Sequence, residues 1–383
     1  MDLSRQRGQA TTEYVAISAV VAVILIGAAT AVAAPSIPRS VAHTIRKGIC
    51  IVGGDICDPA GAKARGLDPC VVSSADHRRH TGATILFLRV GGTQEYAIER
   101  RSDGSYRVSA GDGQDFGASA GAGIRLGGGF HIGPDGTASV GWLSGKAWDL
   151  PDAAALSDLL GRVKHRYDLA SGFTDVMPPS VIPTPTSRFT RGDASAAGEL
   201  RLGTLSETMD LRTALGRQTG RDGTVWSFDI EGRSDGPLAE LVPALGAGGH
   251  LLAEWRRGAH PSLTLRTISA SSDHSTETVA RLPLTDAGDR AAAARYALAA
   301  LPTAAGRLAG RDLATRIAAR GTVQRFTYAE RSSDSGFDVE LKLLAGLGAE
   351  RTQHVTTREL VDAELITRDG TVRREDCLAL APG

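Results

Sequence analysis

The chain has 383 residues, enough for one large domain or two ordinary ones, and 42% of them are hydrophobic, which excludes global disorder. Its 43 basic and 43 acidic residues cancel, and without a long basic run there is no electrostatic footprint for nucleic acid. Glycine is abundant at 46 residues and aromatics are only 5%, which favours turn-rich β structure packed with small side chains.

The first element is an uncharged stretch, Tyr14 to Ala34, preceded by Arg5 and Arg7. At about 1.5 Å per helical residue it spans a hydrocarbon core of roughly 30 Å, so residues 14–34 are expected to form a transmembrane helix. The preceding residues, Gly8-Gln9-Ala10-Thr11-Thr12-Glu13-Tyr14, resemble the leader of Flp/TadE-type prepilins. That resemblance covers about thirty residues and implies cleavage between Gly8 and Gln9 by a prepilin peptidase. It also implies that Glu13, with Tyr14, serves pilus-type assembly by pairing with a neighbour's terminal amine. Two other outcomes stay open: secretory cleavage after Ala31-Val32-Ala33, or an uncleaved anchor. All three put the N-terminus in the cytoplasm and the body outside it, although Arg39, Arg46 and Lys47 beyond the span run against the positive-inside rule.

Residues 1–13 thus read as a basic leader, 14–34 as the helix, 35–80 as a cysteine-containing neck and 81–383 as an extracytoplasmic body. In an exported chain, Cys50, Cys57, Cys70 and Cys377 are expected to be oxidised. Four cysteines allow three pairings. The Gly53-Gly54 reversal suits Cys50 with Cys57, leaving Cys70 with Cys377, a long loop worth roughly 4 to 5 kcal/mol in the chain-entropy model. The spacing lacks the paired cysteines of a zinc site, so no metal is expected.

From Ala83 onward the period is two. Tyr96 and Ile98 alternate with Glu95 and Glu99, and Trp226, Phe228 and Ile230 alternate with Ser227, Asp229 and Glu231. The apolar set is expected on a buried face and the charged set on a wetter one. Asp-Gly occurs six times, at Asp103, Asp112, Asp135, Asp222, Asp235 and Asp369, each a hairpin signal. Helices are expected after Pro151-Asp152 and from Asp286 to Ile317. The Pro-rich segment 177–187 is a candidate division of the body. The fold class expected is mainly β (α+β): the transmembrane helix, then an antiparallel meander of hairpins with two or three helices packed on it.

Chemical motifs are weak. Gly141 to Ala147 resembles a phosphate loop but lacks its spacing and its hydroxyl, and reads as a turn. Gly121 to Gly127 resembles a dinucleotide fingerprint without the helix that should follow. His77-Arg-Arg-His80 beside Asp76 reads as a solvated basic loop, and Arg191-Gly192-Asp193 as a chance tripeptide. No nucleophile elbow is present, so no catalytic residue and no cofactor are expected. The function expected is a membrane-anchored interaction or structural protein, a pilus-like minor component. A pore-forming or toxin-like β-protein, and an extracytoplasmic enzyme whose residues converge only in three dimensions, are the alternatives.

Overall fold

A computed structural model describes residue 50 and residues 55–378, apart from 86–87, 120–123, 127–129, 133–136, 168–182, 203–204, 235–248, 272, 299–303 and 342–346. The chain divides into two compact units, Met1–Cys57 and Asp58–Gly383. In the first, Cys50 and Cys57 form a disulfide with Cα atoms 5.8 Å apart.

The second unit is built from long strands. They are β1 (Val71–Ile85), β2 (Leu88–Arg101), β3 (Tyr106–Ser119), β4 (Ile124–Leu126), β5 (Phe130–Ile132), β6 (Thr137–Leu150), β7 (Ser187–Leu202) and β8 (Leu205–Gly220). Then come β9 (Gly223–Ser234), β10 (Gly249–Gly258), β11 (Ser262–Ala270), β12 (His274–Pro283), β13 (Thr322–Leu341), β14 (Leu347–Thr367) and β15 (Gly370–Arg373). The helices are α1 (Pro59–Ala64), α2 (Ala153–Tyr167), α3 (Ala287–Leu298), α4 (Ala304–Arg320) and α5 (Glu375–Leu378).

Twelve strands form one antiparallel ring: β1-β2-β3-β6-β7-β8-β9-β10-β11-β12-β13-β14. The ring closes because β14 returns to β1, with Ser73 opposite Glu359 and Ile85 opposite Leu347. Short β4 and β5 pair with each other, and β5 with the end of β7, while β15 pairs with β14. Twelve strands about 4.8 Å apart, tilted at about 40°, make a cylinder roughly 24 Å across between backbones.

This corrects the expected fold class. The sheet is not an open meander covered by helices but a closed barrel, and the helices gather at one end, here called the base. Residues 14–34 lie outside the described residues, as do Gly8, Gln9, Glu13 and Tyr14; among the described residues no helix is long and apolar enough to cross a membrane. The first barrel strand begins at Val71, within the segment expected as a neck. β6 and β7, which flank the Pro-rich segment, pair with each other in the same ring.

Local chemistry explains the turns. Gly104, Gly223 and Gly370 have φ of 85°, 126° and 137°, so the Asp-Gly pairs at 103, 222 and 369 turn the chain where only glycine relaxes. Asp112-Gly113 instead lies inside β3, and the pairs at 135 and 235 fall outside the described residues.

On the outer wall near the base, α2 covers Val108, Trp148 and Leu150 with Leu159. Asp152 caps it, its carboxylate accepting from the Ala155 amide at 2.9 Å. Helices α3 and α4 cover Leu263 and Leu282 with Ala293, Leu313 and Ile317. Their contact carries a buried carboxylate, Asp289, which accepts from Arg316 at 3.0 Å and from Arg320.

Bonds from the Gly288 and Asp289 amides hold the Asp286 carboxyl below the usual carboxylate range. Bonds from Arg295 and Arg316 do the same for Asp312. Both carboxyls are therefore lower in the folded state than in the unfolded one. Their contribution is complete above the unfolded value of about 4 and disappears as pH falls through the folded values. Hydrogen-exchange protection factors of α3 and α4 should accordingly be lower at the acid end of a pH 2–6 series than at pH 6, with less pH dependence in Asp286→Asn, which keeps the cap.

Candidate functional site

In a closed ring every second residue faces the lumen. The Arg191–Glu95 ion pair, at 3.2 Å, joins β7 to β2 and shows which face that is, because β3 and β6 stand between the two strands and such a contact can form only over the concave inner wall. Glu95 also pairs with Arg78 of β1 at 3.1 Å. The same parity sends Arg266, Glu254, Glu277, Glu330 and Arg358 inward. Arg266 meets Glu277 at 2.8 Å and Glu254 at 3.6 Å, and Arg358 meets Glu330 at 3.3 Å. His250 contacts Asp229 at 2.6 Å and His80 contacts Asp115 at 3.2 Å.

Space for these side chains comes from inward-facing glycines. Gly111 and Gly145 are opposite each other on β3 and β6, and the Phe189 ring rests on both; a Cβ at Gly145 would collide with the ring and with the Ala110 carbonyl. Gly145 therefore belongs to the strand Thr137–Leu150 and not to a turn, which corrects the reading of Gly141 to Ala147.

The outer face carries the apolar set. Val90, Tyr96, Phe116, Val140, Trp142, Leu215, Trp226 and Phe228 are all exposed, Leu215 to 67% and Trp142 to 61%. Tyr96 and Trp226 were expected inside. The alternation is present, but the faces are exchanged.

At the base the lumen is filled. Val279, Phe326, Tyr328, Leu360 and Ala363 of β12, β13 and β14 pack on Cys70, Val72, Cys377 and Leu378. A disulfide joins Cys70 to Cys377, with Cα atoms 5.6 Å apart. Arg374 is fully buried beside it. Its guanidinium donates to both Asp376 oxygens, at 3.1 and 2.7 Å, to the Gln324 side chain, and to the Asp68 carbonyl at 3.3 Å. Beside this plug lies a cavity of about 130 Å³ lined by Asp68, Glu254, Arg256, Arg266, Glu277, Arg281 and Tyr328. Asp376, Cys70 and Cys377 stand at metal-ligand distances, but both sulfurs are spent in the disulfide.

The remaining sequence candidates take ordinary strand positions. His77 points outward and stacks on Tyr96 at 4.4 Å, while His80 points inward, so β1 separates the two imidazoles and is no loop. Arg191 and Asp193 face the lumen from the middle of β7, not from a surface loop. The lumenal residues were missed because their charges, at alternate positions, were read as a wet outer face.

No family model matches the chain, and no curated protein sequence matches it. Among solved structures the chain is similar to a TodX monoaromatic hydrocarbon channel deletion mutant, at 8% identity, a TM-score of 0.19, and coverage of 79% of this chain and 93% of that one. It is similar also to the translocator domain of the autotransporter NalP from Neisseria meningitidis, at 10% identity, a TM-score of 0.17, and coverage of 77% and 91%. The outer membrane protein OpdK from Pseudomonas aeruginosa follows, at 10% identity, a TM-score of 0.14, and coverage of 76% and 99%. At such TM-scores these likenesses carry no argument. The prepilin resemblance finds no matching family, and with the described chain forming a closed barrel we do not retain it. The same correction withdraws the helix-anchored, single-pass localisation and the pilus-type assembly partners and prepilin peptidase.

Exposure separates the expected effects of two charge deletions. Arg374 is fully buried with Asp376, so Arg374→Ala strands a buried carboxylate and should destabilise by about 3–5 kcal/mol. Arg78, with 41% side-chain exposure, should contribute no more than about 1 kcal/mol through its pair. Denaturant midpoints of Arg374→Ala and Arg78→Ala check this ordering.

Proposed function

We propose that the chain is a pore-type β-barrel, closed at rest, with a lumen suited to small hydrophilic solutes. The observation that carries this reading is the inversion of the faces. Charged and hydroxyl side chains point inward around the ring, while large apolar side chains point outward. A barrel in lipid needs that arrangement, because its outer wall meets hydrocarbon and its lumen meets water.

Two features narrow the path. Glu95, bridged to both Arg78 and Arg191, narrows the lumen partway along. The plug tied by Cys70–Cys377 closes the base. Conduction in this reading requires the plug to move.

A second reading has its own observation. Arg79, Arg325, Arg331 and Glu359, on β1, β13 and β14, are exposed on the outer wall. A cation at mid-membrane on a lipid-facing wall costs about 2–4 kcal/mol, so this sector suits water or another protein. A barrel that stays in water and holds a ligand in its lumen fits it.

Reconstitution decides between the two. The pore reading expects co-flotation with liposomes and single-channel currents in planar bilayers that become more frequent under reductant. Glu95→Gln leaves Arg78 and Arg191 without their acid and should shift the current toward anions by severalfold. Protein that neither floats nor conducts, reduced or oxidised, would establish the water-soluble reading.

A further inference from the structure

Partway along the lumen, β13 and β14 bring four polar side chains into one chain of contacts. Ser332 is opposite Thr356 and Asp334 is opposite His354 in the register, so all four stand on the lumenal face. Ser332 Oγ lies 3.3 Å from Thr356 Oγ1, and Thr356 Oγ1 lies 2.9 Å from His354 Nε2. His354 Nδ1 is in hydrogen-bond contact with Asp334 Oδ1. On the other flank, Arg78 of β1 is the register partner of His354.

We propose that this relay is a catalytic site for acyl transfer, with small water-soluble esters as substrates. The roles follow from access and connectivity. Thr356 is only 6% exposed, whereas Ser332 is exposed to the lumen, so Ser332 is the nucleophile and Thr356 the link. Asp334 accepts from Nδ1–H, which fixes the tautomer and leaves Nε2 free to accept a proton. The hydroxyl in direct reach of the oriented base is that of Thr356, and Ser332 is joined to the base through it, an indirect form of the activated-nucleophile arrangement. The Ser332–Thr356 separation is slightly long, as such bonds are without substrate.

The chemistry balances without a co-reactant other than water. Ser332 Oγ attacks the ester carbonyl carbon; its proton passes to Thr356 while the Thr356 proton passes to His354 Nε2. A tetrahedral oxyanion forms on the former carbonyl oxygen. The carbon–alkoxide bond then breaks, and the alkoxide takes the proton back from Nε2 through the same link. Water attacks the acyl-serine by the reverse path and releases the carboxylic acid. None of this requires the barrel to conduct, so the inference stands or falls separately from the pore.

The test uses the full chain and a fluorophosphonate probe, with p-nitrophenyl acetate as the ester. The expected result is labelling at Ser332, located by peptide mass spectrometry and lost in Ser332→Ala. Labelling and hydrolysis should both fall about 100-fold or more in His354→Ala. Thr356→Val should cut the relay and Thr356→Ser restore it, which a purely structural role for the hydroxyl would not predict. Wild-type protein that takes no label, or His354→Ala that labels as fast as wild type, would overturn the proposal. Because the first outcome needs no variant, misfolding of a substituted chain cannot shelter it.

Discussion

Closure of the ring through β1 and β14 is the constraint on which the rest of this structure depends. A strand left at an edge presents a row of unpaired amides and carbonyls, and here thirteen residue pairs from Ser73–Glu359 to Ile85–Leu347 remove both edges at once. The partners are separated by most of the chain, so the loop closed is very long. What offsets that entropy is the whole ladder formed together with the neighbouring β13–β14 hairpin. Closure then divides every strand into a lumenal and an outer half, and most of the large aromatics stand on the outer one.

The lumenal half carries most of the paired charges. Arginine and acid side chains reach across the interior and satisfy each other, as Arg191, Glu95 and Arg78 do. Where water reaches them, each pair contributes little to stability, and their value is in shape and charge pattern. At the base the same lumen is dry. There Arg374 is held by Asp376, Gln324 and the Asp68 carbonyl, and its loss would leave uncompensated charge in an apolar plug. One cylinder thus contains a wet section and a dry one, and the disulfide lies within the dry one.

The outer wall is divided as well. From β2 through β9 it presents tyrosine, phenylalanine, tryptophan and leucine side chains with Lys146, Arg188 and Arg217 among them, while β1, β13 and β14 present arginine and glutamate with Val361 among them. The Ser332–Thr356–His354–Asp334 contacts sit on the lumenal side of that same β13–β14 pair, the longest hairpin in the barrel.

Much of this was legible in the residues. Period-two alternation marked Tyr96 against Glu95 and Trp226 against Ser227, and three Asp-Gly pairs marked real turns, because glycine alone relaxes at those φ values. Helix starts near Asp152 and Asp286 were legible from Pro151-Asp152 and from the alanine-rich pattern that follows Asp286, and the structure shows both aspartates capping. What the sequence could not determine was which face is inside. Alternation is symmetric under exchange of faces, and only closure decides whether the charged set meets solvent outside or a lumen within. The relay at His354 was hidden for a related reason: its four members come from two strands in register, about twenty residues apart, and no linear spacing records a register. Glycines inside β6 read as a turn because their purpose, room for Phe189 from β7, exists only after the strands pair. The sequence by itself determined strands, turns and caps, whose causes lie within a few residues. The tertiary structure decided inside from outside, the plug and the lumenal contacts, since each depends on residues that meet only when β14 finds β1.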